Sequence, residues 1–142
     1  MMKTLENFET LEFRSKYPSV YVVGFKSADT FTPFYVGETG NLTCRCADYI
    51  RAQFKAPTDF RVGTAIKCLE ARGYAVFLKF RLSSEDRKER LREEDVLAKE
   101  LEGSGYSLLN RLPSFSYHTA DKEEEAAKIV EFVESLVKAR EA

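Results

Sequence analysis

Four side chains of this chain have the types and the spacing needed to hold and cleave a phosphodiester. Tyr21 and Tyr35 lie in two short apolar segments that are predicted to be neighbouring strands. Arg45 follows the second segment, on the first turns of a predicted helix, and Glu94 lies later in a charged helical segment. Arginine can bind phosphate through a planar, two-pronged contact, and a carboxylate is a usual ligand of Mg²⁺. A tyrosine hydroxyl can orient or deprotonate a water molecule.

Arg45 and Glu94 both interrupt apolar stripes on their predicted helices. The inward residues of these stripes are Leu42, Cys46, Tyr49 and Ile50 in the first helix, and Leu91, Leu97, Ala98 and Leu101 in the second. An unpaired charge on such a stripe costs several kcal/mol of desolvation, so it usually has a partner or a metal. The alternative is that both side chains lie at the stripe's edge and reach solvent, or pair with each other.

Hydrophobic periodicity and turn residues predict the elements that would position these side chains. In chain order they are a helix over 4–13, strands over about 19–25 and 33–37, helices over about 41–53 and 59–72, a strand over 74–80, a helix from Ser83 or Ser84 to Glu102, an extended segment over 106–110 and a helix over 121–140. The polar residues 26–30 are predicted to be a loop. Gly37 and Gly40 are expected to permit a turn, Asn41 to cap the next helix, and Gly73 to end the one after it.

The predicted fold class is α+β, with a small, mostly antiparallel three-stranded sheet flanked by helices. A helix is added at the N-terminal end of this core. Asp121 and Glu124 form a capping box that opens an amphipathic helix at the C-terminal end. Its apolar stripe must be covered, either by the chain's own sheet and helices or by a second copy. We expect the first, and therefore a monomer rather than a homodimer.

Composition favours a single globular domain over 1–142. The sequence has 142 residues and a formal net charge of −1, with the basic excess in residues 1–92 and the acidic excess in 93–142. A basic excess near the candidate site suits a phosphate ligand. No apolar run approaches the roughly 20 residues that a membrane span needs. The three cysteines are odd in number, which suits a reducing, cytoplasmic compartment.

The spacing of these residues resembles the GIY-YIG nuclease family over residues 17–112. The matching residues are Ser19-Val20-Tyr21, Tyr35-Val36-Gly37, Thr39, Asn41, Leu42, Arg45, the helical run Glu94-Asp95-Val96-Leu97-Ala98, and Asn110. The resemblance implies a catalytic module at 17–112 with a β-β-α-α-β-α core, followed by a helical extension at 113–142. Glu38 stands where nucleases of this family often have a basic residue, and its carboxylate would repel a phosphate unless it points away.

The resemblance also implies roles for these residues. Tyr21 or Tyr35 would activate the water, Arg45 would bind the scissile phosphate, and Glu94 would hold one Mg²⁺ or Mn²⁺ ion. The residues expected to bind substrate or support the site are Gly37, Thr39, Asn41 and Asn110, the last of which could orient Glu94 or its waters. Both tyrosines are compatible with the role of general base.

Two functions are compatible with this pattern. The first is a metal-dependent endonuclease that hydrolyses DNA, with RNA as a second candidate substrate. The second is a non-catalytic domain that keeps the fold and binds nucleic acid or protein. The joint presence of the two tyrosines, the arginine and the glutamate favours the first, whereas the near-neutral net charge favours the second.

The first prediction tests Arg45. Arg45→Lys keeps the positive charge but loses the planar fork, so we expect turnover to fall at least about tenfold while substrate binding changes little. Single-turnover cleavage rates and the Kd for DNA measure the two effects separately. A fully active lysine variant would show that a point charge is sufficient at this position.

Overall fold

The computed structural model describes residues 9–10, 17–42, 44, 57–113 and 121–141. The chain has an α+β fold with a small antiparallel sheet and three helices among these residues. The strands are β1 (Glu9–Thr10), β2 (Ser19–Ser27), β3 (Thr30–Thr39) and β4 (Ala75–Leu82), in the order β1-β4-β2-β3. The helices are α1 (Pro57–Ala71), α2 (Arg87–Gly103) and α3 (Lys122–Glu141), with a 3-10 turn at Leu109–Arg111. The predicted α+β class and small antiparallel sheet are therefore confirmed, but β1 adds a fourth strand to the three that were predicted.

The hairpin of β2 and β3 is longer than predicted. The strands pair from Ser19 opposite Thr39 to Ser27 opposite Thr30, and only Ala28 and Asp29 remain as the turn. The prediction of a loop over 26–30 was therefore wrong at both ends. Polar residues can continue a strand where one side of the sheet faces solvent, which a rule based on apolar runs misses.

The predicted N-terminal helix over 4–13 is wrong at Glu9 and Thr10. These two residues are extended and pair antiparallel with Phe80 and Lys79 of β4. The other edge of β4 pairs with β2, so β1 satisfies backbone groups that would otherwise lie unpaired at the sheet edge. The rest of the predicted helix lies outside the described residues, as does the helix predicted beyond Cys44.

The end of α1 and the start of α2 are each fixed by hydrogen bonds from backbone N–H groups. Gly73, at φ 87°, ends α1 as predicted, and the backbone N–H groups of Gly73 and Tyr74 donate to the carbonyls of Glu70 and Leu69. Asp86, rather than Ser83 or Ser84, caps α2, because its side chain accepts from the N–H of Lys88.

After α2, the predicted extended segment 106–110 instead turns into the 3-10 helix at Leu109. At the start of α3, Asp121 accepts from the N–H groups of Glu123 and Glu124, which confirms it as the N-cap.

Apolar side chains form a buried cluster on each side of the sheet. On one side, side chains of α1 and α3 pack against Tyr21, Val23 and Phe25 of β2. On the other side, Leu97, Ala98 and Leu101 of α2 pack against Val20 and Val22. The central strand β2 is thus buried on both faces, which explains why its apolar run is continuous.

The stripe of α3 is covered by the chain itself. The side chains of Ile129, Val133, Leu136 and Val137 are buried in the cluster beneath α1 and α3, and Val130 is half-buried. The prediction of packing within the chain is confirmed, so the C-terminal segment shares the core of residues 17–112. None of the described helices is long and apolar enough to cross a membrane.

This packing predicts the effect of truncating α3 side chains. Ile129→Ala should lower the free energy of unfolding by about 3 kcal/mol, because it removes buried methyl and methylene groups and leaves a cavity. Glu131→Ala, at an exposed position of the same helix, is the matched control and should change stability by less than about 0.5 kcal/mol. Chemical denaturation of both variants provides the measurement, and equal effects would contradict the packing.

Candidate functional site

Tyr21 and Tyr35 lie together in the core beneath α1 and α3. Tyr21 is 1% exposed and Tyr35 9% exposed, and their ring centroids lie 6.3 Å apart with the ring planes tilted by 45°. A register shift between Val23 and Gly24 leaves Phe34 without a direct partner, so Phe34 and Tyr35 both enter this cluster. The sequence spacing predicted two neighbouring tyrosines, and the structure brings them together.

Gly37 is required by the ring of Tyr21 rather than by a turn. Tyr21 and Gly37 are directly opposite in the β2–β3 pairing. A Cβ at position 37 would overlap the Cζ and Oη atoms of Tyr21. The glycine therefore lets the phenol of Tyr21 lie across β3, and its predicted role in a turn was wrong because β3 continues to Thr39.

Glu94 lies on the inner side of α2 and is half-buried. Burial, reinforced by the carboxylates of Glu38 and Asp95, raises the pKa of Glu94 from its ordinary 4.5 to about 7, against the opposing effect of Arg111 and Arg87. No ion pair or hydrogen bond to the Glu94 carboxylate occurs within the described part of the chain. Such a carboxylate is poised to accept a cation.

The stripe around Glu94 differs from the predicted one. Leu91 was expected to face inward but is 42% exposed, whereas Arg90 is buried with Leu97 and Ala98. Arg90 takes the inward position because Glu38 of β3 and the carbonyls of the loop before α2 satisfy its guanidinium. Apolar periodicity cannot anticipate a buried arginine of this kind.

The carboxylate of Glu38 is neutralised by α2. Arg90 Nε donates to Glu38 Oε2 at 2.9 Å, and Arg90 Nη1 donates to the carbonyls of Ser84 and Glu85 at 3.1 and 2.8 Å. Arg87 Nε lies 3.7 Å from Glu38 Oε1, with 75% of the Arg87 side chain exposed. Two arginines therefore offset the negative charge of the Glu38 carboxylate.

The tyrosines and Glu94 approach the sheet from different sides. Tyr21 and Tyr35 belong to the cluster beneath α1 and α3, whereas Glu94 projects from α2, which covers the opposite face. The last residues of β3 connect the two sides, since Gly37 contacts Tyr21 and Glu38 acts electrostatically on Glu94. A site that uses all three side chains is thus centred on the end of this edge strand.

Thr39 and Asn41 shape the turn that leaves β3. The Thr39 hydroxyl donates to the carbonyl of Asn41 and accepts from its N–H, both at 3.1 Å. Asn41 Oδ1 accepts from the N–H of Cys44 at 3.2 Å, which confirms Asn41 as a helix cap. Their observed role is to fix the backbone that leads toward Arg45, which itself lies outside the described residues.

Asn110 binds the backbone of β3. Its Nδ2 donates to the carbonyl of Val36 at 2.7 Å, and its Oδ1 accepts from the N–H of Val36 at 2.9 Å. The amide thus pairs with β3 as another strand would. The expectation that Asn110 orients Glu94 is not supported by these contacts, but Val36 lies between Tyr35 and Gly37, so Asn110 fixes the site strand directly.

Arg61 is a site candidate that the sequence analysis missed. It lies on α1 and is 9% exposed. Desolvation lowers the pKa of Arg61 below its ordinary value, and the smaller interactions with Glu125 and Tyr35 oppose this shift. Its guanidinium therefore acts electrostatically on one of the two tyrosines. No motif signalled this arginine, because only the packing of α1 in the cluster that contains Tyr35 brings it near that residue.

Comparisons of the chain with protein-family models, with curated proteins and with solved structures found no match. The resemblance to the GIY-YIG family therefore depends on the residues themselves. Within the described ranges, no group of three or more His, Cys, Asp or Glu side chains could hold a metal ion. An ion at Glu94 would therefore be held by fewer than three of these side chains, with water molecules at the other positions, an arrangement that Mg²⁺ accepts.

The contact between Tyr21 and Gly37 predicts a specific steric cost. Gly37→Ala should destabilise the protein by about 1–3 kcal/mol, because the buried phenol of Tyr21 has little room to move. In a Tyr21→Leu background the same substitution should cost clearly less. Gly103→Ala is the matched control, since a Cβ there meets nothing within 4 Å. Thermal unfolding of the four variants completes the cycle, and purely additive effects would contradict the steric explanation.

Proposed function

We propose that this protein is a metal-dependent endonuclease that hydrolyses phosphodiester bonds in DNA. The observation that carries the proposal is the half-buried carboxylate of Glu94, which has a raised pKa and no cationic partner at hydrogen-bonding distance within the described residues. A carboxylate in this state gains from binding a divalent cation, which would replace the solvation that burial removes. The paired tyrosines and the resemblance to the GIY-YIG family support phosphodiester hydrolysis as the reaction that this cation would assist.

The donor set at this position fits one hard ion. Glu94 would bind Mg²⁺ or Mn²⁺ directly, and water would complete the coordination, as Mg²⁺ prefers. Glu38 lies close enough to act on Glu94, but Arg90 and Arg87 already engage it, so its role is to hold these arginines. When bound, the ion would neutralise phosphate charge and favour departure of the leaving oxygen.

The chain's own residues would bind the phosphate and handle the proton. Arg45 binds the scissile phosphate through its guanidinium fork. Tyr35 or Tyr21 orients the attacking water and, as the phenolate, accepts its proton to become the neutral phenol. Free tyrosine has a pKa near about 10, so this role requires a site that stabilises the phenolate. Arg61 interacts electrostatically with Tyr35 and places a positive charge near that phenol. Asn110 and Gly37 position the strand that carries Tyr35.

One observation favours the competing function, a non-catalytic domain that binds nucleic acid or protein. Glu94 lies on α2, whereas the tyrosines are buried on the other side of the sheet. A domain that had lost catalysis would have no need to bring them together around a substrate. Incubating the protein with plasmid and branched DNA, with and without Mg²⁺ or Mn²⁺, separates the two functions, because only the endonuclease converts the DNA to shorter products.

The desolvated state of Glu94 predicts a pH-dependent stability. The folded chain retains a proton on Glu94 that the unfolded chain releases between pH 4.5 and about 7. Its contribution to stability is therefore fully present below pH 4.5 and is lost as the pH rises through about 7. Glu94→Gln has no charge to desolvate, so near pH 8 it should be more stable than the native protein, by roughly 1 kcal/mol after solvent screening. Near pH 5 the difference should be much smaller.

The same variant tests the metal and the reaction. Near pH 8, Mg²⁺ should raise the Tm of the native protein but not that of Glu94→Gln, because only the carboxylate binds the ion. Glu94→Gln should also abolish cleavage. Glu93→Gln is the matched control at the adjacent position and should keep both responses. Loss of cleavage in Glu93→Gln with an active Glu94→Gln would contradict the assignment.

A further inference from the structure

One face of β4 carries basic and aromatic side chains in alternation with the core. In the antiparallel pairing with β2, Phe77 lies opposite Gly24, Lys79 opposite Val22 and Arg81 opposite Val20. Directly paired residues point to the same side of a sheet, and alternate residues of a strand share a side. Phe77, Lys79 and Arg81 therefore line the side of the sheet that α2 covers in part.

Two lysines on this side lie over aromatic rings. Lys26 Nζ is 4.9 Å from the centroid of Phe77, and Lys79 Nζ is 4.4 Å from the centroid of Phe31. These contacts hold the ammonium groups close to the sheet, with Lys26 exposed and Lys79 half-buried. The lysines are thus partly ordered before any ligand arrives, which lowers the entropic cost of binding.

The helix α2 adds a further cation beside the strand. Arg81, Arg92 and Glu93 line a shallow depression of about 230 Å³, together with Val96, Leu97 and Glu100. Arg81 Nη2 lies 3.5 Å from Glu93 Oε2, a long contact between side chains that are each more than a third exposed. We define the cationic strand face as Lys26, Lys79, Arg81 and Arg92. Among the described residues that line the depression, the carboxylates are those of Glu93 and Glu100.

This face is incompletely covered. The buried side chains of α2 pack against Val20 and Val22 of β2 and Val36 of β3. On β4, by contrast, Phe77, Lys79 and Arg81 remain only half-buried, and Lys26 of β2 is exposed. A row of cations on an open sheet face is unusual for a chain whose formal net charge is −1. Their concentration on one surface points to an anionic partner.

We propose that the cationic strand face binds the phosphate backbone of a DNA strand outside the site of cleavage. The four residue steps from Phe77 to Arg81 span about 13 Å at roughly 3.3 Å per residue. Successive phosphates of one strand rise about 3.4 Å along the helix axis and lie farther apart than this in space, so the face has room for about two of them. Ammonium and guanidinium groups are the side chains that bind such phosphates in most protein–DNA interfaces.

The inference rests on the proposed function, which supplies DNA as the ligand. Arg81 pairs with Val20, and Val20 pairs with Glu38, so Arg81 and Glu38 lie two strand spacings apart, or about 10 Å. Since α2 lies over Val20, the cationic strand face and the carboxylate of Glu94 flank the same helix. DNA held on this face would therefore lie near the candidate site and would compensate for the low net charge of the chain.

A binding experiment without cleavage tests this inference. Fluorescence anisotropy of labelled duplex and single-stranded DNA is measured with the full chain in EDTA, from about 50 to 200 mM salt. Lys26→Gln/Lys79→Gln should weaken binding about tenfold or more at the low-salt end. It should also reduce the slope of log K against log salt by about 2, or roughly 1 for each phosphate that a lysine no longer neutralises. The weakening should not depend on DNA sequence.

Two matched variants make the result interpretable. Lys138→Gln removes an exposed lysine from α3, in the layer across the sheet, and should leave affinity and salt slope unchanged. Lys26→Arg/Lys79→Arg keeps both charges and should keep most of the affinity, and circular dichroism checks that each variant is folded. An unchanged affinity and slope in the glutamine pair would overturn the inference, as would an equally weakened Lys138→Gln.

The outcome also separates this inference from the proposed function. Suppose that the native chain cleaves DNA and that the glutamine pair binds DNA like the native chain. The proposed DNA binding by the cationic strand face is then wrong, and the proposed endonuclease activity is unaffected. If the native chain binds DNA through this face in EDTA but never cleaves it with Mg²⁺ or Mn²⁺, the face is supported and hydrolysis is wrong. If the native chain binds neither duplex nor single strands, the inference is overturned.

Discussion

The pairing of β2 with β3 is the constraint on which the candidate site depends. It places Tyr21 opposite Gly37, and the absence of a side chain at Gly37 lets the phenol lie across the neighbouring strand. The register shift after Val23 then brings Phe34 and Tyr35 into the same cluster. Moving this register by one residue would send Tyr21 to the other face of the sheet. The position of both phenols therefore follows from backbone hydrogen bonds rather than from contacts between the rings.

A second level of organisation comes from charges that burial makes interdependent. Glu38 forms ion pairs with Arg90 and Arg87. Its negative charge also contributes to the raised pKa of Glu94. The free energy needed to keep Glu94 desolvated is supplied by the packing of α2 against the sheet. The proposed role of Glu94 would thus oppose stability, as is common where a fold holds a group in an unfavourable state.

Hydrophobic periodicity and the turn and capping residues predicted the parts of the fold that depend on local sequence. The hairpin, the central apolar strand, the Gly73 and Asp121 helix ends and the inward stripe of α3 follow from rules that act within a few residues. The helix predicted at Glu9 and Thr10 was wrong because their extended conformation depends on pairing with β4, which is distant in sequence. Arg90 and Leu91 exchanged their expected places because a partner on β3, far away in sequence, stabilises the buried guanidinium.

The candidate site divides in the same way. The spacing of Tyr21, Gly37 and Tyr35 was sufficient to predict that they lie together, since adjacent strands fix their distance. The approach of Glu94 from the opposite side of the sheet could not be predicted, because helix periodicity gives the inward face of α2 but not the layer in which α2 packs. Arg61 is the clearest omission, since it is identified only by its burial and by its neighbours Tyr35 and Glu125.

The amide of Asn110 has a consequence for association between copies of the chain. Among the described strands β3 is the outermost, and it would otherwise offer the N–H and carbonyl of Val36 to any extended segment that approached it. Asn110 occupies both groups at once, in the middle of the strand. A second copy therefore cannot add a strand to β3 without first displacing this side chain, so the residue that braces the site also protects the sheet from growing into a fibril.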